Sequence, residues 1–333
     1  MNSERTVTNV KDLKGKVAVI TGGASGIGLA FARRCLQEGM QLALADIDKN
    51  ALAKVEQELK AEKAEIITVP VDVSKAEDVE NLCNQTYEHF GSTDILFNNA
   101  GVGGMGLAHV APLNDWKWNI GVNLFGVIHG VHYFVPRMIK QDTEGYVLNT
   151  ASIVGLALTH VEAPYSVSKG AVVMLTETLQ LGFQAINAKL HASVVCPGFI
   201  TTNILHSEQH RPADLQNPET EAMTPEQAAG IEMIQKLVAS GTSPKEAVKI
   251  AFKDIPFPPR RTLQDMIEIG IFTNLVIKGM PVQECADLIF REAIEEQKFY
   301  ILPNGTMRPY REAILKRAEN TLAGKDPEAP WKR

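Results

Sequence analysis

The sequence predicts an α/β protein built on one doubly wound parallel sheet, and three observations carry that prediction. Short, uninterrupted apolar runs, such as residues 17–20 and 42–45, recur between Lys16 and Pro197. Each is followed by a longer segment whose apolar residues return with helical spacing. None of the runs alternates apolar with polar residues, so the strands they form are buried on both faces. A sheet achieves that when crossover helices cover each side and its strands run parallel. Such sheets bind ligands at the carboxyl ends of their strands, where the strand order reverses.

Taken in order, residues 17–20 form the first strand and 26–38 the first helix. Residues 42–45 form the second strand and 49–61 the next helix. Residues 66–69, 95–97, 147–148 and 192–195 continue the strands. Between 203 and 280 the character changes. Prolines stand at 212, 218, 225, 244, 256, 258 and 259, and two helices are expected, at 225–239 and 244–252. The stretch is too long for a plain connection and is read as a helical lid over an active site. Residues 281–297 then form a helix, 299–302 a last strand, and 309–322 an amphipathic helix.

Composition narrows the function. The chain has 333 residues, 45% of them hydrophobic, enough for a sizeable core. With 33 basic against 39 acidic residues, the net charge is −6 and no basic block stands out, which argues against nucleic-acid or anionic-membrane partners. The four cysteines, Cys35, Cys83, Cys196 and Cys285, are scattered, which fits a reducing compartment and a cytoplasmic protein. The first fifteen residues carry no apolar signal-peptide core, and no run of about 18 apolar residues exists to span a membrane. The chain has eight histidines, and no metal site is expected from them.

Immediately after the first strand comes Gly22-Gly23-Ala24-Ser25-Gly26-Ile27-Gly28. Glycines let the backbone turn sharply and approach a pyrophosphate, and the helix that follows offers free N–H groups and a positive dipole end. The alternative is a simple tight turn. Its placement between strand and helix favours a dinucleotide. Asp46, 24 positions after Gly22, closes the second strand. A carboxylate there accepts hydrogen bonds from ribose hydroxyls and repels a 2′-phosphate, so NAD is expected rather than NADP. The competing reading is that Asp46 caps the next helix.

Tyr165 and Lys169 are four residues apart and share a helix face. A free phenol titrates near pH ~10, and a neighbouring ammonium lowers that value, so the pair suits proton transfer to or from an alcohol. Alone, the spacing describes a surface helical pair equally well. Ser152, thirteen residues before Tyr165, follows an apolar strand; Asn98-Asn99-Ala100-Gly101 follows the fourth strand; Asn123 stands mid-helix, where Asn has no propensity advantage.

These residues resemble the short-chain dehydrogenase/reductase family. Residues 21–28, Asp72-Val73, Asn98 to Gly101, Asn123, Ser152, Tyr165, Lys169 and Pro197-Gly198 match its motifs in order and spacing. The resemblance covers roughly residues 13–202 plus the final helix and strand. It implies a single Rossmann-type domain over 1–333, with 203–280 as a substrate-binding lid insertion and 309–333 as a C-terminal tail. It implies hydride transfer with Tyr165 as general acid/base, Lys169 binding the nicotinamide ribose, Ser152 holding the substrate oxygen and Asn123 supporting a proton relay. Cofactor contacts are expected from Gly22, Ser25, Gly26, Ile27, Gly28, Asp46, Asp72, Val73, Asn99, Ala100, Gly101, Tyr165 and Lys169, with Ile200 and Thr202 on the carboxamide. A homodimer or homotetramer through the helices of Asn123 and Tyr165 is implied.

A narrower resemblance, over 119–128 and 134–139, is to bacterial C-alpha-dehydrogenases of lignin-type aryl ethers. It tilts the expected substrate toward bulky, aromatic secondary alcohols. The alternatives are an NADP-dependent reductase of ketoacyl thioesters and a non-catalytic cofactor-binding scaffold. The segment from Met223 to Ala228 also resembles the start of the family's last helix. Pro281 is preferred, because the last strand needs that helix directly before it. His129 and His132 are read as packing or interface residues, and Trp116 and Trp118 as helix packing. Cys196 is read as an apolar filler, while Met105 and His160 are candidates for the pocket wall.

Overall fold

The computed structural model describes residues 12–157, 159, 162–218, 224–257, 263–304 and 308–327. Seven parallel strands form one sheet in the order β3-β2-β1-β4-β5-β6-β7. They are β1 (Val17–Thr21), β2 (Gln41–Asp46), β3 (Ile66–Pro70), β4 (Ile95–Asn98), β5 (Gly145–Thr150), β6 (Leu190–Val195) and β7 (Tyr300–Ile301). The chain winds outward from β1 to β3, then crosses back to place β4 beside β1. The reversal leaves a crevice between β1 and β4 at their carboxyl ends.

Each strand sends alternate residues to opposite faces, and both faces are packed. Ala18, Ile20, Leu42, Leu44, Ile95, Phe97, Tyr146 and Leu148 point to one core, where α1 (Gly26–Gln37), α2 (Lys49–Ala61) and α10 (Val282–Phe290) cover them. Val19, Ala43, Ala45, Leu96 and Val147 point to the other, beneath α3 (Ala76–Phe90), α5 (Gly126–Gln141) and α6 (Ala163–Ala185). Phe31 joins strand to helix in the first core, with its ring 4.7 Å from Phe97 and 5.9 Å from Phe290. Burying such an aromatic side chain contributes about 1.5–3 kcal/mol.

Between α3 and α5 runs α4 (Leu113–Ile120), joined to α5 by a single π-helical turn, Gly121–Phe125. After β6 the chain forms a 3₁₀ segment, Asn203–His210, then α7 (Pro225–Ala239), α8 (Pro244–Ala251) and α9 (Leu263–Ile277). These three helices surround an apolar cluster of their own, made of Ile234, Val238, Ala247, Val248, Ala251, Phe252, Met266 and Ile269. Thr224 and Gln227 close a reciprocal capping box at the start of α7. Two of the three helices match expectation; α9 is a third that the sequence did not lead one to expect. Pro281 does precede the helix that leads into β7, and α11 (Arg308–Leu322) follows. No helix among the described residues is long and apolar enough to cross a membrane.

Candidate active site

The turn after β1 is shaped by close backbone approach. Gly22 and Gly26 hold φ values of 65° and 52°, in the left-handed region that favours glycine. A Cβ on Gly28 would lie 2.1 Å from the Gly22 carbonyl oxygen, so no side chain fits where α1 leaves the turn. Ser25 stands at the N-cap of α1 without bonding the helix, which leaves the first N–H groups facing the crevice. The turn is fixed to its neighbour across the switch point. Asn99 N and Ala100 N donate to Thr21 Oγ1 at 3.0 and 3.1 Å, and Asn99 Nδ2 donates to the Thr21 carbonyl at 3.0 Å.

Asp46 sits at the end of β2 with both oxygens oriented by backbone. Oδ2 accepts from Ala24 N and Oδ1 from Asp48 N, each at 3.0 Å. It does not cap α2; Asp48 does, accepting from Asn50 N and Ala51 N. Asp72 is held in a similar way, with Oδ1 accepting from Ser74 N and Oγ. Behind Val73, His129 Nδ1 lies 2.9 Å from the Val73 carbonyl, so His129 is a packing residue that anchors this loop to α5.

At the other end of the crevice, α6 brings Tyr165 and Lys169 against β5. Lys169 is 2% exposed, its Nζ donates to the Thr150 carbonyl at 2.8 Å, and it stands 5.7 Å from the centre of the Tyr165 ring. Burial lowers its pKa to about 8. Burial also holds the Tyr165 phenol well above its ordinary value; Glu162 adds to the rise and a hydrogen bond with Ser152 opposes it. Desolvation is the largest cause of that rise.

Asn123 is fully buried in the π turn, not in a regular helix. Its Oδ1 accepts from Val102 N at 2.8 Å, and its Nδ2 donates to the Val102 carbonyl at 3.0 Å and to Ser168 Oγ at 3.2 Å. Ser168 Oγ in turn donates to the Tyr165 carbonyl at 2.7 Å. Asn123 thus stands one layer behind the wall, tying the loop after β4 to α6. The extra residue of a π turn is what aims it there.

One cavity of about 820 Å³ joins the two ends. Gly22, Ser25, Gly26, Ile27, Asp46, Asp72, Val73, Asn99, Ala100 and Gly101 line its first part. Ser152, Tyr165, Lys169, Pro197, Gly198, Ile200 and Thr202 line the second. Gly28 and Asn123 do not reach its surface. The glycine turn that admits no Cβ, the N-terminus of α1 and the oriented Asp46 together fit a dinucleotide. No group of His, Cys, Asp and Glu among the described residues is arranged to hold a metal.

The cavity also recruits residues that sequence reasoning placed elsewhere or missed. Trp118, expected to be helix packing, lines it, and Arg211 stacks on the indole at 4.2 Å. The Arg211 side chain is 4% exposed and pairs with Asp115 at 2.9 Å, clasping the 3₁₀ segment to α4. Phe272 of α9, Phe199, Tyr310 of α11 and Glu162 complete the wall. Met105 packs against the α7–α9 cluster. Cys196 is buried and free, with its thiol pushed up to about 12 by desolvation, as a filler would be. His160 lies outside the described residues.

Residues 16–213, from β1 through the 3₁₀ segment, match the short chain dehydrogenase family. The chain belongs to this family. A member named CLA biosynthesis dehydrogenase/reductase, from Lactiplantibacillus plantarum, is 33% identical over 92% of this chain and 94% of its own length. The C alpha-dehydrogenase of Sphingobium sp. is 33% identical over 61% of this chain and 67% of its own. A short chain dehydrogenase/reductase from Burkholderia phymatum, crystallised with NAD, is 35% identical and superposes with a TM-score of 0.80 over 97% of this chain and all of its own. The α7–α9 segment of this short chain dehydrogenase therefore has counterparts in full-length relatives, though it lies beyond the family match.

Proposed function

We propose that this short chain dehydrogenase interconverts a bulky, aromatic or similarly apolar secondary alcohol and its ketone, with NAD as the redox partner and Tyr165 as general acid/base. The observation that carries the reading is the convergence of Ser152, Tyr165 and Lys169 in one buried cavity that opens onto the glycine turn and Asp46. NAD, when bound, supplies the hydride acceptor. Ser152 holds the alcohol oxygen and Tyr165 takes its proton. Because burial keeps that phenol protonated, proton removal depends on positive charge placed beside it. Lys169, fixed by the Thr150 carbonyl and cationic at neutral pH, supplies that charge. Asn123 positions the α6 backbone through Ser168.

Among the described residues lining the cavity, Lys169 is the one Lys or Arg. That supports NAD over NADP and disfavours a ketoacyl-thioester reductase, which needs cations at its entrance. Residues 203–280 act as the cover that selects the substrate, inside a single domain with the tail helix. Val167, Met174 and Leu181, seven residues apart on the outer face of α6, are 51%, 69% and 64% exposed. This apolar row supports a homodimer or homotetramer formed through α5 and α6. Replacing Tyr165 by Phe is expected to lower turnover by about 10²–10⁴-fold while NAD binding, followed by fluorescence, persists. Undiminished NADH production by the variant excludes the assigned mechanism.

A further inference from the structure

Glu162 is a buried acid that neither the cofactor site nor the proton-transfer set uses. It is 5% exposed, stands at the N-cap position of α6, and makes no side-chain bond to that helix. No described residue bonds or pairs with its carboxyl group. Its oxygens are nevertheless not sealed off: Glu162 lines the cavity and is absent from the fully enclosed, unpartnered atoms of the protein.

The backbone holds it there. Gly106 and Glu162 form a parallel bridge, and Ala163 N donates to the Gly106 carbonyl at 2.9 Å. The charge of Glu162 reaches Tyr165 on one side and Tyr310 on the other, raising both phenols. Beside Tyr310 the wall is apolar, formed by Val154, Ala157 and Phe199.

A carboxyl group in such surroundings is costly unless something hydrogen-bonds it. We propose that Glu162 is the specificity residue of this cavity, hydrogen-bonding a second hydroxyl or carbonyl oxygen that the substrate carries near the alcohol being oxidised. The position follows from the helix: Glu162 precedes Tyr165 by three residues, about one turn, so the second oxygen lies close to the reacting one. The neutrality of the partner follows from charge. Desolvation pushes the Glu162 carboxyl up to about 8, so at neutral pH it is an undissociated acid that both donates to and accepts from a neutral oxygen group. A site with a buried polar group of this kind rejects analogues that leave it unpaired.

The inference rests on the alcohol-dehydrogenase reading only for the word substrate, and its test separates the two. The full-length enzyme with NAD is assayed on hydrobenzoin, a vicinal diol, and on 1,2-diphenylethanol, which lacks the second hydroxyl. Wild type is expected to favour the diol in kcat/KM by about tenfold, the worth of one buried hydrogen bond of ~1.4 kcal/mol. Glu162→Leu is expected to lose that preference through KM for the diol, and Glu162→Gln, which still donates and accepts, to regain part of it. The same ratio is read without turnover from the thermal stabilisation each probe gives the Tyr165→Phe enzyme saturated with NAD. A binding preference removed by Glu162→Leu, with no oxidation of either probe in wild type, sustains the role of Glu162 and discards the dehydrogenase reading of this cavity. Equal ratios in wild type and Glu162→Leu overturn the proposal. So does tighter binding of 2-amino-1-phenylethanol than of the diol, which would mean a carboxylate–ammonium pair instead.

Discussion

The two ends of the cavity are built by different means. The dinucleotide end is made of turns that leave the middle of a seven-stranded sheet, and hydrogen bonds from Asn99 to Thr21 and from Ala24 to Asp46 tie neighbouring strand ends together. The other end is walled by α9, which packs with α7 and α8 around their own small cluster, and by Tyr310 from the tail helix. The first end inherits its rigidity from two core layers; the second can loosen without disturbing the sheet. A protein that must hold one fixed cofactor and admit a variable partner gains from such a division, because regions with few apolar contacts of their own open at lower free energy.

Paired truncations break or sharpen that contrast. Phe97→Ala, in the first core, is expected to cost about 3–5 kcal/mol of global stability. Phe252→Ala, in the α7–α9 cluster, is expected to cost about 3 kcal/mol locally, read as faster hydrogen exchange confined to α7, α8 and α9 with the main melting transition little changed. Equal loss of global stability in the two variants would make the protein one cooperative unit.

A smaller effect is expected at the clasp between the ends. Arg211→Met leaves Asp115 without its ion pair and removes the stack on Trp118. The expected outcome is about 2 kcal/mol of local destabilisation of the 3₁₀ segment, below the 3–5 kcal/mol of a fully buried pair because Asp115 keeps some water. Its signature is a raised KM for alcohol with NAD affinity retained. Arg211→Lys is expected to restore little, since an ammonium does not stack as a planar guanidinium does.

The smallest effect is on pH dependence. Unfolded, Glu162 loses its proton near the ordinary carboxyl value of 4.5, whereas folded it keeps the proton to about 8. Between those values the folded state binds more protons, so stability falls as pH rises, and it levels off above pH 8. Melting curves of wild type between pH 5 and 8 should show the slope, and Glu162→Gln should flatten it.

How much of this was legible in the sequence depended on the range of the interactions involved. Each expected strand lies in or beside an observed one, since a strand buried on both faces leaves a continuous apolar run. The glycine turn and Asp46 were legible because backbone conformation and strand ends are local matters. The α9 helix was not, because Leu263–Ile277 has the cluster on one side and the cavity on another, with Ile271, Phe272, Leu275 and Val276 facing the cavity. A helix apolar on two faces shows no amphipathic period. The π turn at Asn123 was likewise invisible, since nothing in Gly121–Phe125 distinguishes it from a regular helix until Val102 claims the amide.

By itself, then, the sequence determined the parallel sheet, the dinucleotide turn and the grouping of Ser152, Tyr165 and Lys169, because each follows from short-range periodicity or from motifs in fixed order. Only the tertiary structure decided the state of those groups and the shape of what they face. Gly106 and Glu162 are far apart in the chain, as are Trp118 and Arg211, or Glu162 and Tyr310. Burial of Glu162, Tyr165 and Lys169, and hence their proton affinities, arises only when those distant segments exclude water from the same cavity.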